Sequence, residues 1–367
     1  MIKKTEERKI MEKMMMEEIK EKNVVKKIFS LFSKILSPLL GLLICLLLIF
    51  IFSKNPGEAV KSFFAETFSS KYYFGLFLTQ GGYLLLASCG AFMAYKSGNM
   101  NLGGEGQIYL GGFTACLVLL YVKGEPLLVM TLSIFTCIFS GSLMAGFSAV
   151  LKERKKVPPL LTSFLLSSAV IPLIDGIILS IKSGSQTNTL SLDYIDPIFR
   201  MKKILSPSPL TISFFLSLAI FLACAFIFTK TKFGREIKIW GVSEDFAKYA
   251  GLSSKKNTYL TLLFSGALHS LTGFFAVTGS YFTCHQNFYS GMGWNALSAA
   301  LLASENPFLL LPASLFLAWL YTSADRVSLT QGFTFDIASI IQAIILFTSA
   351  IPWMTKKITS LKRGLNE

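Results

Sequence analysis

The chain has 367 residues, 52% hydrophobic and only 15% charged, with a mean hydropathy of +0.56. Soluble domains carry about 25% charged residues, so a water-soluble globular protein is excluded and a polytopic membrane protein is expected. The net charge of +14 does not point to nucleic acid, because the basic residues are divided among loops between apolar runs.

Residues 1–34 are rich in charge, with Lys3, Lys4, Arg8, Lys9, Glu12, Glu17, Glu18, Lys26 and Lys27, and apolar character begins only near Ile35. A secretory signal would run from a short charged region straight into an apolar core and a small-residue cleavage site. The first apolar run therefore reads as a permanent helix. The segment before it reads as a solvated tail or as an amphipathic helix on the inner leaflet.

Crossing the hydrocarbon core takes ~20 apolar residues. Membrane helices are expected over 35–53, 74–95, 105–122, 126–151, 157–181, 208–229, 257–279, 292–304, 307–323 and 335–354, about ten in all. The run 292–304 is too short to cross regularly and reads as broken or buried against neighbours. The fold class is all-α: a charged segment 1–34, a transmembrane bundle 35–355 and a tail 356–367. With the N-terminus in the cytoplasm, 26 of the 35 Lys and Arg fall inside and nine outside, so both termini are expected to be cytoplasmic.

Residues 96–107, Lys-Ser-Gly-Asn-Met-Asn-Leu-Gly-Gly-Glu-Gly-Gln, separate two apolar runs. Asn99, Asn101, Glu105 and Gln107 are costly inside a membrane unless they are used. The stretch lacks the Gly-Lys-Ser/Thr ending of a phosphate loop. It reads either as a turn in which Glu105 caps a helix start, or as the lining of a pathway or gate. Further along, Asp175 follows Pro172. It either caps a helix broken there or lines a water-filled vestibule.

The basic loop 230–256 holds a short helix. Ser243 is its N-cap, and Glu244 and Asp245 suit the positive first turn. Gly251 ends it. Phe246, Ala247, Tyr249 and Ala250 give it an apolar edge beside Lys248. Such an element either docks a cytosolic motor protein or anchors the loop at the interface. His269, inside the seventh run, offers a hydrogen bond to a neighbouring helix or a proton relay. Tyr281, Phe282, His285, Phe288, Tyr289 and Trp294 form an aromatic segment suited to a membrane interface or to stacking on a flat ligand. The loop 182–207 is the longest on the outer face, and Asp325–Arg326 read as a local ion pair. Six single cysteines (Cys45, Cys89, Cys116, Cys137, Cys224, Cys284) read as packing residues. Neither a metal spacing nor a catalytic constellation emerges, so no cofactor is expected.

Several motifs carry a resemblance: Asn101-Leu-Gly-Gly-Glu-Gly-Gln-Ile-Tyr-Leu-Gly-Gly; Phe233-Gly-Arg with Trp240-Gly and Ala247-Lys-Tyr-Ala-Gly-Leu; Ser265-Gly-Ala-Leu with Leu271-Thr-Gly; and Gly291-Met-Gly-Trp-Asn-Ala-Leu through Asn306-Pro. In that order they resemble, over roughly residues 75–325, the permease subunits of bacterial ABC importers for simple sugars, nucleosides and related metabolites. The resemblance implies a non-catalytic subunit of the bacterial cytoplasmic (inner) membrane. Its partners would be a second permease, like or unlike, cytosolic ATPases and an extracytoplasmic substrate-binding lipoprotein. It implies that Ser243–Gly251 is the ATPase-coupling helix, and that the Asn99–Gln107 and Gly291–Asn295 segments, the latter with Trp294 and Asn295, approach the translocation path; His269 is a further candidate for that path. The implied cargo is a nucleoside first, then a riboflavin-like vitamin or a monosaccharide. Pro158-Pro159, Ser167-Ser168, His269 and Trp294 depart from the family pattern. The alternative is an ion-coupled secondary transporter or channel working without an ATPase; Glu105, Asp175 and His269 are its scattered candidates.

Overall fold

The computed structural model describes residues 38–182, 190–332 and 339–348. The expected segments 1–34 and 356–367 lie outside these residues, as do the ends of the first and last expected helices and part of the 182–207 loop. Among the described residues the regular secondary structure is helical, with two isolated bridges, Ser191 with His285 and Lys203 with Thr211, in the connecting segments.

In chain order the helices are α1 (Pro38–Phe52), α2 (Pro56–Ser69), α3 (Lys71–Lys96), α4 (Gly104–Tyr121), α5 (Pro126–Lys155), α6 (Pro159–Lys182), α7 (Ser213–Lys230), α8 (Lys232–Val242), α9 (Glu244–Tyr249), α10 (Ser254–Ala276), α11 (Met292–Ala303), α12 (Leu310–Gln331) and α13 (Ser339–Thr348). Six of the described helical segments are long and apolar enough to cross a membrane: α3, α5, α6, α7, α10 with its continuation to Tyr281, and Pro307–Gln331. About ten were expected; the first and tenth of those runs extend beyond the described residues, so six is a count by length and composition of the described residues alone. The first, eighth and tenth apolar runs are short helices where described, and α4 opens with the polar Glu105 and Gln107. The helices α2 and α8 were not expected; both carry charge along their length and have no long apolar run. Pro172 sits inside α6 without ending it, so Asp175 does not cap a broken helix.

Burial divides the spans. In α3, 83% of the spanning window is inside the protein, and in α10, 72%; in α5 the figure is 28% and in α6, 17%. Thus α3 and α10 form the centre, and α5 and α6 the wrapping. On α5 an exposed stripe, Leu128, Leu132, Phe135, Phe139, Leu143 and Phe147, recurs every three or four residues and gives the helix one outward apolar face. Its opposite face is small: Gly141 packs directly on Gly266 of α10, the close approach that small residues allow between membrane helices. All six cysteines are free and buried, as packing residues are.

Helices α3 and α12 run antiparallel. Lys96 Nζ donates to Glu305 at 2.7 Å at one end, and at the other the Thr67 and Ser323 hydroxyls meet at 2.8 Å. Near that second end Arg326 has Glu66 of α2 beside it and lies 3.4 Å over the Tyr73 ring. The fold thus gives Arg326 a carboxylate partner on another helix, which the sequence did not suggest.

Candidate functional site: a buried polar column and a capped surface helix

Four polar residues of α10 recur at a spacing of four: Asn257, Thr261, Ser265 and His269. That spacing stacks them on one helix face over ~18 Å, at 1.5 Å per residue. The non-helical stretch between α3 and α4 runs along this face in the same direction. Asn257 Nδ2 donates to the Ser97 carbonyl at 3.1 Å, Asn99 Nδ2 to Thr261 Oγ1 at 3.1 Å and Asn101 Nδ2 to Ser265 Oγ at 2.9 Å. One turn into α4, Gln107 Oε1 meets His269 Nδ1 at 2.9 Å. Asn101 and Gln107 close on each other, Nδ2 to Oε1 at 2.9 Å and Nε2 to Oδ1 at 3.2 Å. The backbone of the stretch is served by α6, where Ser163 Oγ accepts from Leu102 N at 2.9 Å and Ser167 Oγ from Gly106 N at 2.8 Å. Among the side-chain atoms of the column, Asn257 Oδ1 and His269 Nε2 are buried without a hydrogen-bond partner among the described residues; the bonds above spare the other groups a cost of about 1–3 kcal/mol each in surroundings that supply no other partner.

Glu105 does not cap the start of its own helix. Its Oε1 accepts from Gly293 N at 2.8 Å and Trp294 N at 3.1 Å, so it caps α11 from α4. The first-turn amides of a helix are unpaired donors at its positive end, which a carboxylate suits. The approach needs small residues. A Cβ on Gly104 would stand 3.0 Å from the Gly293 Cα, and one on Gly293 would strike the Glu105 amide.

The residues singled out as path-lining thus separate. Asn99, Asn101, Glu105, Gln107 and His269 are buried and bonded to one another or to neighbouring helices inside the single chain. Trp294 is half-buried against Phe164, ring centroids 6.2 Å apart, and Asn295 lines a cavity between α3, α11 and α12. Asp175 accepts from the Tyr109 hydroxyl at 2.6 Å and from Gln286 Nε2 at 3.1 Å. The aromatic segment packs largely on itself: Tyr281 lies 4.9 Å from His285 and 5.8 Å from Phe288, and Tyr109 packs on Phe288 and Tyr289.

At the Lys96 end of the bundle, Lys152 in the last turn of α5 donates its Nζ to Asn99 Oδ1, and its charged neighbours include Glu244 and Lys248 of α9. Beside it, Ser254 Oγ donates to Glu153 at 3.2 Å. The helix α9 is closed at both ends. Ser243 Oγ accepts from Phe246 N at 3.2 Å; Gly251 takes φ +72°, its amide donates to Lys248 O at 3.0 Å, and Leu252 N donates to Ala247 O at 3.0 Å. These paired bonds are a Schellman ending, for which glycine is favoured because positive φ costs it nothing. Glu244 and Lys248 pair at 3.0 Å along the helix, and that contact holds the Glu244 carboxyl below its ordinary range and raises Lys248. Ala247 is buried, whereas Phe246 is 59%, Tyr249 92% and Val242 84% exposed.

Sequence reasoning missed Lys152, Ser163, Ser167 as a backbone acceptor, and the α10 stripe. The four-residue polar spacing 257/261/265/269 was a readable signal; the partners on α5 and α6 had none.

Comparisons with known proteins bear on this geometry. Residues 73–350 match the family model described as branched-chain amino acid transport system / permease component. The "Probable riboflavin import permease protein RfuC" of Treponema pallidum (strain Nichols) is 32% identical over 86% of this chain and 84% of its own. The nucleoside ABC transporter permease protein NupB of Lactococcus lactis subsp. cremoris is 26% identical, covering 88% of this chain and 92% of its own. The guanosine ABC transporter permease protein NupP of Bacillus subtilis is 23% identical over 94% of this chain and all of its own. A family model covering 278 consecutive residues, 73 to 350, takes in the whole polar column, the capped helix and α11 alike, and on that ground the chain belongs to the permease components of ABC transporters of the branched-chain amino acid type.

Proposed function

We propose that this multi-pass, non-catalytic permease imports a flat heteroaromatic metabolite bearing a polyol or sugar, a flavin ahead of a purine nucleoside, with a cytosolic ATPase driving it through Ser243–Gly251. The observation that carries the ATPase-docking reading is α9: a short helix capped at both ends that turns Phe246 and Tyr249 outward. An unpartnered apolar edge on a rigid surface helix suits a groove in a partner protein. ABC permeases work with ATPase subunits, and α9 stands beside Lys152 at the foot of the polar column. Both termini are cytoplasmic in this proposal, which puts α9 and the Lys96–Glu305 bond on the inner face and the Arg326 end outside. The membrane is the bacterial cytoplasmic one, a second permease completes the path, and a substrate-binding lipoprotein delivers cargo. ATP binding must favour one orientation of the bundle over the other, since only a difference in affinity shifts such an equilibrium.

The cargo ranking is supported by the riboflavin and guanosine descriptions of the relatives and by the tyrosines around the outer cavity. The experiment is uptake into vesicles holding the full transporter and its lipoprotein. ATP-dependent riboflavin entry, competed by guanosine more weakly and by ribose not at all, is expected. Equal competition by ribose would refute the ranking. Replacing Ala247 with Arg should release the ATPase from the purified permease; full retention with normal uptake would refute α9 as the docking element.

A further inference from the structure

The helices α7 and α8 meet in an elbow at the Lys96 end of the bundle. With 18 residues α7 is ~27 Å long, about one hydrocarbon thickness, so its last residue, Lys230, emerges at the level of the lipid headgroups. One face of α7 is turned out of the protein. Phe215, Ala219, Leu222 and Phe226 are exposed at intervals of three or four, and Lys230 ends the same row. The opposite face, with Phe221, Cys224, Ala225 and Phe228, is buried.

The elbow is held closely. Thr231 Oγ1 donates to the Ile227 carbonyl at 2.6 Å and accepts from Gly234 N at 3.2 Å. A Cβ on Gly234 would strike the Ile227 and Phe228 carbonyls, and one on Gly241, near the far end of α8, would strike the Lys96 carbonyl. Thus α8 is pinned from the foot of α7 to the foot of α3. It is amphipathic: Gly234, Ile237 and Trp240 are buried, while Lys232 and Arg235, three apart on one helix face, are exposed. Its other charges are engaged elsewhere, Lys238 Nζ 4.6 Å from the Phe228 ring centroid and Glu236 with Lys256 at 3.4 Å. Lys230, Lys232 and Arg235 are therefore three exposed cations within six residues, and none has an ion-pair or hydrogen-bond partner among the described residues. The basic run Arg154–Lys156 at the end of α5 differs, since Glu153 precedes it and the charge of Lys156 acts on Glu244 of α9. An acidic soluble partner would use the cations alone. An apolar row that leads straight into them matches a lipid, which carries its phosphate at the end of its acyl chains.

We propose that the α7–α8 elbow binds an anionic phospholipid, its phosphate held by Lys230, Lys232 and Arg235 and its acyl chains laid along the Phe215–Phe226 row. The site is independent of the cargo and of the ATPase-docking role of α9. Native mass spectrometry of the full-length chain in neutral detergent, titrated with phosphatidylglycerol and with zwitterionic phosphatidylcholine, tests it. Phosphatidylglycerol should bind about tenfold or more tighter. One cation near the membrane surface is worth about fivefold, so Lys232→Gln should cost about that factor, and Lys230→Gln, Lys232→Gln and Arg235→Gln together should abolish the preference. Arg154→Gln, Lys155→Gln and Lys156→Gln together remove the same charge elsewhere and should keep it. Glycerol 3-phosphate, which has the phosphate without the chains, should displace nothing at millimolar concentration. The replaced side chains are exposed, so each variant should melt with the wild type, which reports that it is folded. Equal binding of the two lipids, equal losses in the two triple variants, or displacement by glycerol 3-phosphate would overturn the proposal. A cross-link between two copies of the Leu222→Cys variant in phosphatidylglycerol vesicles would give the row to a second permease and overturn it as well.

Discussion

Replacing Glu105 with Leu tests the cross-helix cap. The carboxylate of a residue only 6% exposed accepts two amides of α11, Gly293 at 2.8 Å and Trp294 at 3.1 Å. Leucine offers neither bond, and the close packing of Gly104 on Gly293 leaves no space for water to replace them. Two orphaned buried amides cost about 1–3 kcal/mol each, so the loss should total about 2–6 kcal/mol. Glu105→Gln keeps a carbonyl oxygen in the same place and should cost about 1 kcal/mol. The assay is thermal unfolding of the purified protein in one detergent, followed by tryptophan fluorescence. At roughly 2 °C per kcal/mol for a large chain, the leucine variant should melt about 5 °C or more below the wild type and the glutamine variant within about 2 °C. Equal melting of the two variants would refute the cap, because the acceptor oxygen that glutamine keeps and leucine lacks is what should separate them.

Lys152→Met removes the donor to Asn99 Oδ1 and leaves a buried amide oxygen short of a partner; it should lower transport per ATP hydrolysed while the ATPase still co-purifies, and an unchanged coupling ratio would count against a link between α9 and the column. The pH behaviour of α9 follows from Glu244, whose carboxyl is depressed by its hydrogen bond with Lys248 and further by the charges of Lys152 and Lys156. A depressed carboxylate contributes stability that is fully present above its unfolded pKa of about 4.5 and is lost as pH falls through the lower folded value. ATPase docking should therefore be flat from pH 5 to 8, and the contribution is small because the pair is half-exposed; a midpoint near neutrality would show that another group governs the contact.

What could be read in the sequence was what depends on neighbours within a turn or two. The caps of α9 were legible because Ser243, Glu244, Lys248 and Gly251 act on backbone and side chains three or four positions away. The short α11 was legible from the length of its apolar run. The need for Asn99, Asn101, Glu105 and Gln107 to be used was legible from their cost in an apolar medium.

Their partners were decided only by tertiary structure. Glu105 reaches an amide 188 positions on, and Asn101 a serine 164 positions on. No local rule names those residues. Burial was hidden for a related reason. Lipid is as apolar as a side-chain core, so hydropathy does not mark the inside of a membrane bundle; here α3 and α10, the most buried of the spans, are less apolar than the outer α5 and α6. Polar groups can be held at the centre because other helices satisfy them there, and which helices those are follows from how the whole chain packs.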